Sequence, residues 1–436
     1  MDTTSQRTTV LKKIGRKLET ILDLDPLIEK LANSHLVLLG EASHGTHEYY
    51  TWRTAISKRL IEEHGFNFIA VEGDWPDFYR VNRYIKHYEN SHKSAVSVLK
   101  EFNRWPTWMW ANWEIEALVN WLRKHNTNLP ANKRVGMYGL DVYSLWESME
   151  AIVDYLQTHD RTLLPAAKRA LGCFEPFGDE KGMAYARSLN RYMPKTCENE
   201  VVELLSAIKQ RAQTFNTDIE ASLNMEQNAQ IASNAEKYYR SMVSANQSSW
   251  NLRDHHMMDT LKRLLRFHGT NAKAIVWEHN THVGDARATD MALDNTINVG
   301  QLVREELSHL NPEIIGFGSY QGTVVAGEEW GAPMRTMHVP PAMEGSWEYL
   351  LHQTGTGDQL LFLEELKGHE LFMRPVGHRA IGVVYHPRHE RIGNYVPSVL
   401  PDRYDAFIHI ETSEGVHAMD AYVDKSQLPE TYPWAF

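Results

Sequence analysis

Short apolar runs that stop abruptly in polar clusters recur along the chain. They fall at 35–41, 67–73, 134–141 and 273–280, and again at 313–326, 358–365, 378–385 and 405–411. Runs of this length, bounded by Gly and polar residues, predict buried strands. Helical periodicity separates the first four, which is the pattern of βαβ units in a mostly parallel sheet. Thr46 stands where the N-cap of one such helix would, and Ile56, Leu60 and Ile61 fall on its inner face up to about His64. Ser144, followed by Glu147, reads as a capping box opening a further helix. From there to about 270 the pattern is almost wholly helical, with breaks near 172–182 and at Pro194. A single crossover needs far less chain. The expected architecture is α/β: a mixed, largely parallel β-sheet domain flanked by helices, built from 1–143 and 271–436. Residues 144–270 form a large inserted α-helical domain, with an active-site cleft between the two. The stretch 313–411, with close-set strands and Gly turns, predicts an antiparallel extension of the sheet.

Composition narrows the class. With 436 residues, 42% hydrophobic and 23% charged, the chain can bury a substantial core and has an ordinary globular balance. A net charge of −11, with no compensating Lys/Arg run, argues against nucleic acid or an anionic membrane as a partner. Cys173 and Cys197 are too few for a disulfide framework or a thiolate zinc site, and the simpler expectation is two incidental thiols in a cytoplasmic protein. The polar Met1-Asp2-Thr3-Thr4-Ser5 start has no apolar core of a leader, and no stretch approaches a membrane span. The 22 histidines and 13 tryptophans stand out because both types gather near candidate strand ends.

The densest of those ends is Gly40-Glu41-Ala42-Ser43-His44-Gly45-Thr46-His47-Glu48, straight after the apolar run His35-Leu36-Val37-Leu38-Leu39. The second run ends in Glu72-Gly73-Asp74, the third in Asp141, and the fourth in Glu278-His279-Asn280-Thr281-His282. The carboxyl ends of parallel strands lie along one edge, where ligands bind in open α/β sheets, so these groups are expected to meet in one cleft. Arg53 falls two turns into the helix that follows Thr46, and its side chain leans back toward the Glu41–His44 loop. A guanidinium there would bind Glu41 or Glu72, or hold a substrate oxyanion. Taken singly, each group has a plain structural role: His44 as a helix cap, Glu72 and Asp141 as helpers at helix N-termini, Arg53 as a surface partner of Glu48 or Glu62. Four such clusters at four strand ends favour a site.

The residue types then limit the chemistry. No G-x-S-x-G elbow, H-E-x-x-H, P-loop or G-x-G-x-x-G occurs, and neither Cys lies at a strand end. Imidazole and carboxylates remain, which together can activate water. His44 would take the proton, with Glu41 or Glu72 fixing its tautomer. His279 or His282, with Arg53, would stabilise the oxyanion of acyl transfer. Ser43 and His47 rank as neighbours. The expected reaction is hydrolysis of a small-molecule ester or lactone without a cofactor. His44, His279, His282, Glu41 and Glu72 are also competent ligands for a divalent metal, so a metal-dependent hydrolase and a metal or haem binder without hydrolysis stay open. The aromatic run from Arg104 through Trp105, Trp108 and Trp110 to Trp113 is either core packing or the wall of a large pocket. Arg253-Asp254-His255-His256 is either a salt-bridged helix segment or a source of charge for the cleft. Asp74, Trp105, Trp110, Asp141 and Arg253 complete the candidate substrate-binding set.

At these residues the chain resembles the erythromycin esterase family. The resemblance rests on Gly-Glu-Ala-Ser-His-Gly-Thr at 40–46, Arg53, Val-Glu-Gly-Asp-Trp at 71–75 and Gly-Leu-Asp at 139–141. It continues through Asn-Leu-Arg-Asp-x-x-Met at 251–257, His-Asn-Thr-His at 279–282 and Gly-Phe-Gly at 316–318. The pieces run in order through almost the whole chain. What the resemblance implies is a hydrolase that opens macrolide lactones such as erythromycin, an antibiotic-resistance activity, on a fold with a sheet domain, a helical domain and a deep cleft. It implies His44 as general base and Glu41, Arg53, Glu72, His279 and His282 as the other residues needed for activity. The substrate itself is not fixed by it, and some relatives carry polysaccharide-biosynthesis labels.

Overall fold

The computed structural model describes residues 3–89, 91–177, 185–186, 188, 196–242 and 248–419. Its strands are β1 (Arg16–Lys17), β2 (Leu36–Leu39), β3 (Phe68–Asp74), β4 (Gly136–Asp141), β5 (Ala274–Trp277), β6 (Glu313–Ala326), β7 (Arg335–Val339), β8 (Gln359–Phe362), β9 (Val376–Arg379), β10 (Tyr395–Ser398) and β11 (Ala406–Ser413). Nine of them form one sheet in the order β1-β8-β11-β6-β2-β5-β3-β4, with β7 on β6, and β9 and β10 make a separate ribbon. The central six, from β11 to β4, are all parallel.

Alternate residues explain why these runs are apolar throughout. Val37, Leu39, Ile69, Val71, Ile275 and Trp277 point into one core, while Leu36, Leu38, Phe68, Ala70, Ala274 and Val276 point into another. Both faces are covered along these stretches, which accounts for apolar side chains pointing either way. Each Leu, Ile or Phe so buried contributes about 1.5–3 kcal/mol over exposure, before the entropy of ordering it.

The helix after β2 spans His47–His64 and stops at Gly65, whose φ of 69° is the left-handed conformation that glycine adopts at little cost. Thr46 stands at the N-cap, but its hydroxyl bonds Ser43 rather than the helix. Ser144 likewise precedes the helix Leu145–His159 without the expected capping box, because Glu147 pairs with Arg104 Nη2 at 2.7 Å. In the 313–411 region only part of the extension is antiparallel. β6 and β11 continue the parallel sheet, whereas β7 and β8 add the antiparallel pairings.

Residues between Leu145 and Met242 share a hydrophobic core of their own. The next helix, Ser248–His268, sends Met257, Met258, Leu261 and Leu264 into the sheet core instead, so by packing it belongs to the sheet layer. Gly172 lies inside the helix Leu164–Phe174, while Gly182 and Pro194 fall outside the described residues. Cys173 and Cys197 are joined in a disulfide with Cα atoms 5.9 Å apart, which corrects the expectation of two independent thiols. The helices that carry them pack together and bring the pair within bridging distance. The pairing also removes the thiol-based support for a reducing, cytoplasmic setting. Among the described residues, no helix is long and apolar enough to cross a membrane.

Candidate active site

The acids and imidazoles of the cleft stand at or just past the carboxyl ends of β2, β3, β4 and β5, and Arg253 joins them from the helix Ser248–His268. The β2 loop is fixed from three sides. Asn280 N–H donates to Glu41 O at 2.8 Å, Ile381 N–H to Ala42 O at 2.7 Å, and the Tyr50 hydroxyl lies 2.7 Å from His44 O. Gly45 O accepts from Val325 N–H and Val416 N–H at 3.0 and 2.9 Å, and a Cβ on Gly45 would lie 1.9 Å from Val325 O. Only glycine lets the loop approach β6 this closely.

Glu41 receives His44 Nδ1 at 2.9 Å on one oxygen and Arg53 Nη2 at 2.5 Å on the other. This resolves the partner of His44 as Glu41 rather than Glu72. A carboxylate accepts, so Nδ1 carries the proton and Nε2 is the ring atom left for the cleft. Arg53 is fully buried behind this pair, with its guanidinium 4.6 Å from the Trp277 ring and 4.7 Å from Tyr50. Burial opposes a charge on His44, but the Glu41 hydrogen bond and the charge of Glu72 outweigh it, so the imidazole titrates above its ordinary value.

His279 is set differently. Thr281 N–H donates to its Nδ1 at 3.3 Å, so the proton sits on Nε2, a buried atom with no hydrogen-bond partner. Its ring centroid is 4.9 Å from that of His44. Burial, reinforced by charge on His44, pushes its pKa well below the ordinary value, leaving a neutral N–H donor.

Arg253 ties the far side together. It donates to both oxygens of Asp141 (3.0 and 2.7 Å), to Glu72 Oε1 at 2.7 Å and to His282 Nε2 at 2.9 Å. His282 Nε2 therefore accepts, and Nδ1–H donates to Asp254 at 2.9 Å while Trp250 stacks on the ring at 4.5 Å. Glu72 Oε2 accepts His279 N–H at 2.8 Å. Burial would raise the Glu72 carboxyl, but its contacts with His282, Arg253 and His44 hold it well below the usual range. Glu278, between β5 and His279, is the reverse case. It is fully buried, neither oxygen is hydrogen-bonded, and burial with the fields of Glu72 and Asp254 pushes it far up, so it is a neutral acid.

These groups face one cavity. His44, Glu72, His279 and His282 line it, as do Asp74, Asp141, Trp105, Trp110 and Arg253. Glu41 and Arg53 do not reach it and stand behind His44. Asp74 lies 2.7 Å from Arg104 Nε, and its burial outweighs that cation and pushes its carboxyl up. Sequence reasoning missed Trp250, Tyr143 and Trp330, and named Asp254 and Arg104 only within longer stretches, without a role of their own. Asp254 and Trp250 share a helix face with Arg253, a spacing that marks them once Arg253 is placed; Trp330 lies in a loop and has no such signal. Among the described residues, no three metal-ligand donors converge in the cleft, and the one such grouping lies elsewhere, at His47, Glu114 and His417.

Comparison with known proteins gives the same direction. The family model described as erythromycin esterase matches residues 61–413. Erythromycin esterase type II of Escherichia coli is 27% identical over 146 residues, 33% of this chain and 32% of that protein, so the match spans about a third of the relative's length. Three solved structures share the fold. A Bacillus cereus protein is 20% identical with a TM-score of 0.76, covering 96% of this chain and 99% of that one. A succinoglycan biosynthesis protein is 21% identical with a TM-score of 0.74, covering 95% and 99%. A mutant of the erythromycin esterase EreC in its open conformation is 15% identical with a TM-score of 0.68, covering 94% and 100%. The family match spans most of the chain, and the chain belongs to the erythromycin esterase family.

Proposed function

We propose that the protein hydrolyses a carboxylic ester or macrolactone by direct attack of water activated by His44. The observation that carries this reading is the Arg53–Glu41–His44 relay, which presents Nε2 of a basic imidazole toward the cavity. In the reaction, Nε2 accepts a proton from water as its oxygen bonds to the acyl carbon, and Glu41 stabilises the imidazolium. The neutral Nε2–H of His279 is the donor suited to the carbonyl oxygen as it becomes an oxyanion. Collapse of the tetrahedral intermediate breaks the bond to the alkoxy oxygen, which takes the proton back from His44. Arg253 fixes Glu72, Asp141 and His282 opposite His44. Family membership supports a hydrolase of this type, and the lining residues Trp105, Trp250 and Trp330 offer aromatic surface to the apolar part of a substrate, whether a macrolide or an ester carried on a carbohydrate.

The test is incubation of purified protein with a 14-membered macrolide and a panel of acyl sugars and simple lactones, with and without chelator, read by mass spectrometry. Addition of one water to at least one substrate, unaffected by chelator, is expected. Failure on the whole panel, or activity abolished by chelator and restored by metal, contradicts the proposal.

A further inference from the structure

His47 follows His44 in the same loop, yet it takes no part in the cleft. Its Nδ1 lies 2.6 Å from Glu114 Oε1, and His417 Nδ1 lies 2.7 Å from that same oxygen. The two rings meet edge to face with centroids 5.2 Å apart, and the donor atoms of all three residues lie within 4.8 Å of one another. We propose that His47, Glu114 and His417 form a binding site for a divalent transition-metal ion, zinc in the first instance, separate from the catalytic cleft.

The donor set is chemically apt. Two imidazoles and a carboxylate suit Zn²⁺ with water in the fourth place. Two ligands on one tetrahedral zinc stand about 3.3 Å apart, so the two histidine–Glu114 separations need to open by about 0.6–0.7 Å. The exposed rings have that freedom, since the His417 side chain is 53% exposed and that of His47 is 31% exposed. Neither imidazole needs the Nδ1 proton it now shares, because a neutral ring can carry its proton on Nε2 instead. The carboxylate is held in place: Glu114 is buried, and His417 N–H lies 3.2 Å from Oε1 and 3.3 Å from Oε2. Glu48 and Glu414 add negative field at His47, which favours a cation.

The backbone joins the same three segments independently. His47 N–H donates to Glu414 O at 2.8 Å, Trp113 N–H to His417 O at 3.0 Å and Met419 N–H to Ala111 O at 2.8 Å. An ion at this point would staple the segment after β11 to the starts of the helices His47–His64 and Trp113–Asn126. It would thereby hold the end of the loop that carries His44.

Calorimetric titration of ZnCl₂ into the metal-stripped full chain tests this. One equivalent is expected to bind wild type with a micromolar Kd, and His417→Ala or His417→Gln should weaken it at least thirtyfold. A His279→Ala variant should bind as wild type does, because that residue belongs to the cleft. Zinc should also raise the unfolding temperature of wild type and leave that of the His417 variants unchanged, with circular dichroism checking that each variant is folded. No binding by wild type at 100 μM zinc, full affinity in both His417 variants, or loss of binding with His279→Ala overturns the proposal.

Discussion

Replacing Glu41 by Gln removes the charge beside His44 while keeping its size and its ability to accept hydrogen bonds. A general base works only when neutral, so activity should fall as pH drops through the His44 pKa, which stands above its ordinary value of 6.5. In Glu41→Gln that acidic limb should move to lower pH while kcat falls about 10–100-fold, both read from a pH–rate profile. Linkage gives a second readout. A raised histidine pKa contributes stability that is fully present below the unfolded value and lost as pH rises through the folded one. The variant's stability deficit should therefore be larger near pH 5.5 than near pH 8.5, measured by urea denaturation. Arg253→Met should cost about 3–5 kcal/mol in the same assay, since it leaves Glu72 and Asp141 buried without their cation. At this scale the sequence discloses much of the site, because strand ends mark Glu41, His44, Glu72, Asp141 and His279. It does not disclose which acid holds His44, or that Asp254 holds His282, because those pairings depend on side-chain directions across different elements.

Elements position these residues through close contacts that single atoms can break. Gly45→Ala places a methyl against Val325 O, so the loop must move away from β6. The expected cost is about 3 kcal/mol with a loss of activity larger than that of a comparable surface substitution, measured by thermal unfolding and turnover together. The disulfide is the second device. Cys173 and Cys197 are 24 positions apart, and releasing a loop of that size should cost about 3 kcal/mol by the chain-entropy account. Thiol titration of the denatured protein should find no free thiol before reduction and two after it, and Cys173→Ser/Cys197→Ser should unfold at lower temperature. Apolar runs show the central strands in the sequence because both of their faces are buried. β7 escapes such reading because its burial alternates with three exposed positions, leaving no continuous run. The capping box at Ser144 fails for a non-local reason: Arg104 claims Glu147.

In the whole molecule, four parallel strands aim their ends at one edge, and Trp250 and Arg253 reach the cavity there from the helix Ser248–His268, which packs on the sheet core. This much follows from topology, and the sequence carries it in the order of its runs. The outer wall is another matter. Trp330, Gly382 and Val383 come from loops, and no periodicity announces which of them face the cleft. Under the proposed hydrolysis, the choice of substrate would fall to that wall, which no sequence pattern marks. The most direct measurement is kcat/KM for wild type and His44→Asn on the same ester, with circular dichroism and unfolding temperature as controls. A folded His44→Asn that has lost about a thousandfold or more of the activity is the result expected of a general base. Equal turnover by the two proteins would contradict the account.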